Sequence, residues 1–419
     1  MVALLGTGLA TIALSLLAYD LAGGQAGRVL GTVLAIKMIA YVVIAPLSSA
    51  FVDRLPRRTM LVALDLVRAA IALLLPWVTD IWQIYLLIFL LQAASAAFTP
   101  TFQATIPDVL PDERQYTQAL SLSRLAVELE NILSPALAAV ALLAVSYDAL
   151  FLGTVAGFVA SALLIMPLLL PRPQALSEAA VLARTMRGIR FFLATPRLRG
   201  LLAMNFAAAA IGAMVLVNTV VLVRADLGQG ETAVAVSMGF FGAGSILTAL
   251  LLSKVLARLS DRSLMLGGIA VMVGAVLVLA GWVFAVGLSW AALLAGWLFV
   301  GMVYSAVTTP AGRVLRRSAH AADRPALFAA QFSLTHACWL IAYPLAGWLH
   351  PAIGFGAALL ATGSLAMLGL AIAATVWPAN EPVSLLHRHD DLPLDHPHLQ
   401  GVRSHCHDFV IDDHHPRWP

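Results

Sequence analysis

Long apolar runs, each about one bilayer thick and each closed by a short polar turn, repeat along the chain as far as Trp377. A helix needs roughly 20 apolar residues to cross the hydrocarbon layer. Twelve such stretches can be drawn, at 1–18, 29–51, 60–78, 82–104, 117–144, 149–170, 200–223, 232–253, 264–286, 289–310, 326–349 and 354–376. The runs are continuous and rich in Leu and Ala rather than alternating. That excludes a barrel and leaves helices, because a spanning backbone must satisfy its own hydrogen bonds. The pattern predicts an all-α integral membrane protein with twelve transmembrane helices. The first run starts at Met1 with no polar flank and meets an aqueous side by Tyr19 and Asp20. Either this helix is short or the native start lies upstream of Met1. No basic segment or A-x-A site marks a cleavable signal.

Charge fixes an orientation. If the N-terminus is cytoplasmic, the inside loops hold seventeen Lys and Arg, from Arg54 to Arg324, and the outside loops hold only Arg28 and Arg224. The positive-inside rule then puts both termini in the cytoplasm of a bacterial-type plasma (inner) membrane. The one long internal loop, 171–199, carries Arg184, Arg187 and Arg190 at helical spacing beside Val181, Ile189 and Phe192. It predicts a cationic helix at the membrane surface. A mean hydropathy of +0.90 and 61% hydrophobic residues leave no soluble domain before the tail. The net charge of +3 sits in short loops without interleaved aromatics, so nucleic acid is not a partner. Trp77, Trp82 and Trp377 fall at span ends and are expected as interfacial anchors. Asp20 and Asp148 are expected in solvated loops.

The chain also repeats itself. Ser95-Ala-Ala-Phe-Thr-Pro100 closes the fourth span and Ser305-Ala-Val-Thr-Thr-Pro310 closes the tenth, about 210 residues on. A polar loop follows each, then A-L-S-L-S ending at Ser123 and A-Q-F-S-L ending at Leu334. Asp53 and Arg54 follow the second span as Arg258, Asp261 and Arg262 follow the eighth. Two six-helix halves are implied, at 1–170 and 200–377, joined by 171–199 and followed by a tail at 378–419. Halves related in this way place a substrate path at their interface.

The densest charge lies in F-V-D-R-L-P-R-R-T-M-L-V-A-L-D-L-V-R, residues 51–68. Asp53, Arg54, Arg57 and Arg58 share a loop of a few residues, and Asp65 and Arg68 stand three apart on one helical face. Such arginines hold a loop on the cytoplasmic side. They also suit a gate whose carboxylates and guanidiniums pair in one state and part in another. The spacing resembles the G-x-x-x-D-R-x-G-R-R loop of the major facilitator superfamily, with Pro56 at the second glycine. With the twelve spans and the repeat, the resemblance covers the chain through Trp377. It implies the major facilitator fold and secondary active transport. F-T-P-T-F-Q-A-T-I-P-D-V-L-P from Phe98 and D-L-V-R-A from Asp65 resemble the bacterial drug and siderophore (enterobactin-type) exporters. Ser134-Pro135-Ala136-Leu137-Ala138 stands where that branch carries G-P-x-x-G, without its glycines.

Ionisable residues inside a membrane are costly and are candidates for a proton or substrate pathway. The fifth span holds Arg124, Glu128, Glu130 and Asn131. Arg124 and Glu128 are four apart and pair on one face. Glu130 points roughly 160–200° away, toward a partner such as Lys37. A buried network that holds the first half together is the alternative to proton uptake by Glu128 or Glu130. His336 in the eleventh span changes charge near neutrality or serves as an interhelical hydrogen-bonder. Asn205 and Asn218 are polar links between helices or line a cavity.

After Trp377 the composition changes. Eight of the eleven histidines, with Cys406 and six aspartates, fall in the tail. His387 and His389 open it. His396, His398, His405, Cys406, His407, His414 and His415 form a donor tract suited to a bound divalent metal. A disordered, weakly chelating tail is the alternative. The closing F-V-I-D-D and P-R-W-P elements suggest that part of it docks on the cytoplasmic face. His-tailed superfamily members resembling this layout include nickel-resistance exporters. Cys338 and Cys406 imply no disulfide framework.

No G-x-x-x-x-G-K-[ST] motif is present, so coupling to an ion gradient is expected rather than ATP hydrolysis. The expected function is proton-coupled export (antiport) of a small amphipathic solute such as a drug or siderophore. The partners are the solute, the bilayer and protons, and no resident cofactor is expected apart from divalent metal in the tail. A nickel or cobalt exporter using the tail is the second reading, and a non-transporting receptor or scaffold is the third. No nucleophile–base pair or metal triad lies in the spans, so the chain is not expected to be an enzyme.

Overall fold

The computed structural model describes residues 2–52, 56–109, 133–168, 170, 178–256, 259–320, 323–379, 384–388, 404–408, 410–412, 415 and 418. Helices α1 (Val2–Ala22), α2 (Ala26–Val52), α3 (Arg57–Leu74) and α4 (Ile81–Val109) are followed by α5 (133–141), the described part of the fifth span. Helix α6 (Asp148–Ile165) ends the first half, and α7 (Glu178–Ala194) lies in the long loop. The second half runs through α8 (Pro196–Val221), α9 (Glu231–Leu256), α10 (Asp261–Val286), α11 (Trp290–Thr308), α12 (Ala311–Arg316), α13 (Arg324–Ile353) and α14 (Phe355–Val376). Among the described residues ten continuous stretches are long and apolar enough to cross a bilayer, the first of them, Val2–Ile44, covering α1 and most of α2.

Local signals explain several boundaries. Ser260 caps α10 by accepting from the Ser263 N–H at 3.2 Å, and Ser289 caps α11 through the Ala292 N–H at 3.3 Å. Gly287 and Gly354 end α10 and α13 at φ 89 and 79, where a side chain would be strained. The repeated serine–proline strings fold differently. Helix α4 continues through Pro100, whereas α11 stops at Thr308 and the chain restarts as α12 after Pro310.

Packing repeats between the halves. In the first, α1 lies against α6, α2 against α4, and α3 against both α4 and α6; in the second, α8 lies against α14, α9 against α11, and α10 against both α11 and α14. Bare backbone allows the closest approaches. A Cβ on Gly301 would sit 2.0 Å from the Phe241 carbonyl oxygen, and one on Gly244 would sit 1.9 Å from that of Leu298. The Ser245 hydroxyl then donates to the Gly301 carbonyl at 3.0 Å, and Thr154 donates to Gly6 across α1 and α6 at 2.7 Å. Interhelical bonds of this kind contribute about 0.6 kcal/mol each in a bilayer.

One helix stands apart. The most apolar part of Pro196–Asp226, which α8 opens, is 89% buried, against 28–39% in the other described spanning stretches. Its alanine run Ala207–Ala210 lets neighbours approach on every side, and it touches α13, α14, α2 and α1.

Three expectations need correction. Trp377 is not an interfacial anchor: it is 1% exposed, because the chain folds back after α14 onto Gly200, whose missing side chain leaves room. Asp20 is exposed but helical, in the last turn of α1, and Asp148 opens α6, where a carboxylate favours the helix N-terminus. Helix α7 does not simply lie on the membrane. Phe191 and Phe192 are buried, Gly188 abuts the Ala326 backbone, and Arg187 pairs with Asp323 at 2.9 Å, so its apolar face packs on the start of α13. Trp77 and Trp82 are exposed, as anchors require.

Candidate functional site

Among the described residues the two halves meet chiefly along α2 and α13. Gly27 and Gly31 form a G-x-x-x-G pair on α2, and Gly347 faces them from α13. A Cβ on Gly347 would lie 2.3 Å from the Gly27 carbonyl oxygen, and one on Gly31 would lie 2.6 Å from that of Tyr343. Only glycine permits backbones this close. This tight stretch lies at the end of the bundle opposite the arginine-rich loops. Cation–π contacts reinforce it there: Arg28 of α2 stacks on Trp348 of α13 at 5.3 Å, and Arg224 after α8 stacks on Tyr19 of α1 at 5.3 Å.

Deeper along the seam α13 presents a run of rings. Phe332, His336, Trp339 and Tyr343 are spaced four, three and four apart, which places them on one face. Tyr41 of α2 approaches Phe332 at 6.1 Å and His336 at 5.4 Å. Trp339 lies 4.8 Å from Tyr343 and 6.4 Å from Tyr304 of α11, and Tyr304 lies 5.8 Å from Phe241 of α9. Gly212 of α8 makes room for the Trp339 ring. The stripe thus joins α2, α8, α9, α11 and α13.

Polar atoms accompany the rings. The His336 Nδ1–H donates to the Phe332 carbonyl at 2.7 Å, which leaves Nε2 as an acceptor in the neutral ring. Lys37 of α2 lies one turn before Tyr41, whose ring meets His336. The Gln331 amide donates to Thr335 at 2.9 Å, while its Oε1 is buried with no partner among the described residues. The Nδ2 of Asn205 is likewise buried and unpartnered there. Asn205 stands seven residues before Gly212, on the α8 face that meets Trp339. A buried, unmatched donor and acceptor beside an aromatic stripe can receive the polar groups of a solute.

The predicted charged residues separate into groups. Asp53 and Arg54 lie outside the described residues, as do Arg124, Glu128, Glu130 and Asn131. Arg57 is buried at the start of α3 and Arg58 is exposed. Asp65 is fully buried and pairs through Oδ1 with Arg68, while its Oδ2 has no hydrogen-bond partner among the described residues. The Arg68 guanidinium is held between Phe98 at 4.1 Å and Phe158 at 4.5 Å, within the first half. In the second half Asp261, at the N-terminus of α10, receives Arg313 at 3.4 Å and Arg317 at 3.8 Å. Those two arginines were not singled out from sequence, nor were the α13 rings other than His336. A search for G-x-x-x-G at 27–31 and for rings at helical spacing from Phe332 would have found the seam.

Asn218 is fully buried near the end of α8. Its amide donates to the Ala346 carbonyl at 3.0 Å, and its Oδ1 meets His350 Nδ1 at 3.2 Å. The oxygen also abuts Gly27, where a Cβ would lie 2.9 Å away.

The tail contributes a short antiparallel hairpin, β1 (Ser384–Arg388) with β2 (Ser404–Asp408), in register His387 with His405 and Leu386 with Cys406. His405, Cys406 and His407 lie on β2, with Cys406 exposed; His396, His398 and His414 lie outside the described residues. His415 is buried, with Nδ1 2.8 Å and its backbone N–H 2.7 Å from Asp412 Oδ1. His320 approaches the other Asp412 oxygen at 3.5 Å. Ile411 is buried and Trp418 lies 5.3 Å from the Arg197 guanidinium. The last part of the tail therefore docks on the arginine-rich end of the second half. Among the described residues no group of three or more metal donors converges.

Comparison with known proteins agrees with this architecture. The family model described as Major Facilitator Superfamily matches residues 1–221 and 201–396. The chain is 26% identical over 242 residues to the uncharacterized MFS-type transporter YfiS of Bacillus subtilis (strain 168), covering 54% of this chain and 56% of that protein. It is 29% identical over 106 residues to macrolide efflux protein A of Enterococcus faecalis, covering 24% of this chain and 32% of that protein. The chain spans about half the length of the first of these relatives and a third of the second. Among solved structures it is similar to the nucleoside transporter NupG, with a TM-score of 0.67, 14% identity and coverage of 90% of this chain and 98% of that one. It is also similar to a D-xylose–proton symporter, with a TM-score of 0.66, 15% identity and coverage of 90% and 97%. At such identities the likeness is one of fold.

Proposed function

We propose that this chain, which belongs to the Major Facilitator Superfamily and is a multi-pass membrane transporter, exports a small amphipathic solute from the cytoplasm in exchange for protons. The arginine-rich end is assigned to the cytoplasm by the positive-inside rule. Both termini then share that side, and the glycine seam faces outward.

The observation that carries the substrate class is the α13 stripe, with Gln331 next to Phe332 on α13 and Asn205 two turns along α8 from the Gly212 that meets Trp339. A row of tilted and edge-on rings favours a flat apolar body, and the unmatched amide atoms favour a few polar groups on it. Efflux by a relative named for macrolides supports the same direction of transport. Proton coupling is supported by Lys37 and His336 at the seam and by the carboxylates Glu128 and Glu130 in the sequence of the fifth span. A carboxylate that loses its cationic partner as the halves rock is left desolvated and takes up a proton.

A second reading, export of a divalent metal such as nickel or cobalt, is favoured by the hairpin register that pairs His387 with His405. Uptake into everted vesicles separates the two. Under an inside-acid gradient a labelled cationic dye accumulates with the wild type, and a protonophore removes the uptake. Trp339→Ala and Asn205→Leu lose most of it while still inserting. Labelled Ni²⁺ that moves while the dye does not, and that depends on residues 386–419, would instead establish the metal reading. No movement of either under any gradient overturns export.

A further inference from the structure

We propose that His350 and Asp226 form a proton-binding site on the extracytoplasmic end of the second half, and that its occupancy holds the glycine seam shut.

The hydrogen-bond pattern carries the inference. The Asn218 amide points at the Ala346 carbonyl, which can only accept, so that amide is the donor and Asn218 Oδ1 is an acceptor. His350 Nδ1, facing Oδ1 at 3.2 Å, must then carry hydrogen. A neutral imidazole with its proton on Nδ1 has a lone pair on Nε2. That nitrogen lies 3.2 Å from Asp226 Oδ2. A lone pair against a carboxylate repels; the contact is favourable only when the pair holds one further proton, on the ring or on the carboxyl. The side chain of His350 is 9% exposed and that of Asp226 is 41% exposed, so the proton reaches a buried ring through a carboxylate in contact with solvent.

The site is mechanically tied to the seam. Asn218 Oδ1, which receives His350, is the atom pressed against Gly27 of α2. His350 lies three residues after Gly347, the glycine that meets Gly27 from α13. Loss of the proton loosens the last turn of α13 and the Asn218 side chain together, at the point where the halves touch.

The charged groups on the elements packed against the pair have partners of their own, and Asp80, between α3 and α4, is exposed and bonded to Thr79 and Gln83. Arg224, two residues before Asp226, lies 3.8 Å from Glu231 of α9 and stacks on Tyr19 of α1. Arg28 of α2 stacks on Trp348. From α14 the neighbour is Phe355, 5.8 Å from the imidazole. Asp20 and Asp148 lie near Tyr147; burial and these acidic neighbours push its hydroxyl above its ordinary value, so it stays protonated at neutral pH.

This inference rests on the transporter reading of the seam but not on the substrate, and one experiment separates them. Spin labels at Gln25→Cys and Gln229→Cys, in a Cys338→Ala, Cys406→Ser background, report the seam by distance measurement in nanodiscs. From pH 6 to pH 8.5 the open population grows, by at most about tenfold per pH unit for one proton. Asp226→Asn retains shape without the carboxylate and removes the pH response, and His350→Gln does the same, with unchanged insertion and melting. A pH response that survives in both variants overturns the proposal. A seam that opens with substrate but ignores pH in the wild type overturns it while leaving the transporter reading intact. A seam that never moves overturns both.

Discussion

Replacing Gly347 with alanine asks whether the α2–α13 contact is a moving seam or a fixed joint. The new methyl would lie 2.3 Å from the Gly27 carbonyl oxygen and 3.2 Å from the Gly31 Cα. Carbon and carbonyl oxygen ordinarily meet at roughly 3.3–3.6 Å, so the two backbones must part by about 1 Å. Gly301 provides the control, since its methyl would lie 2.0 Å from the Phe241 carbonyl oxygen inside the second half. Forcing a methyl into a close-packed contact costs about 1–3 kcal/mol. At Gly301 both states of a rocking transporter retain the clash, so the cost falls on fold stability. At Gly347 the molecule escapes by opening. The same cost then appears as a shift of roughly 5- to 150-fold toward the open seam. The Gln25–Gln229 label pair measures that shift, and melting in detergent measures stability. A G347A variant that keeps the parent distance distribution while melting as early as G301A would show that the α2–α13 contact is a fixed joint.

Two further outcomes are expected. Arg68→Met leaves Asp65, fully buried, without its cation; breaking a buried pair costs about 3–5 kcal/mol, and Asp65→Asn in the same chain recovers most of the lost melting temperature. A double variant no more stable than the single one would contradict this. Asp412→Ala removes the acceptor for His415 and the contact with His320, so protease cleaves the tail several-fold faster while the helical core stays intact; an unchanged digestion rate would show that the tail docks by other means.

Hydropathy made the spanning helices legible, because lipid forces each run to be one helix regardless of its neighbours. It did not fix where helices stop. Helix α1 runs on through Tyr19 and Asp20, since a water boundary ends an apolar run without ending a hydrogen-bonded helix. Trp377 shows the same limit: its sequence position marks a membrane edge, but Gly200, far away in sequence, decides that it is buried. The seam was hardest to read. Gly27 and Gly31 look ordinary until Gly347 is placed against them, and Trp339 and Tyr304 become one cluster only through their pairing across helices. His336 and Asn205 were recognisable alone because polar side chains in apolar runs stand out. Charge in the arginine-rich loops was visible, yet which arginine meets Asp261 depended on the turn after Pro310.

In the proposed transport cycle a path along α13 opens to one side of the membrane and then to the other. Thr335→Cys, beside His336 in a Cys338→Ala, Cys406→Ser background, tests it with a membrane-impermeant thiol reagent applied from each side. Labelling switches sides when the proton gradient is reversed or the transported solute is added. Labelling from a single side under every gradient and solute would contradict it.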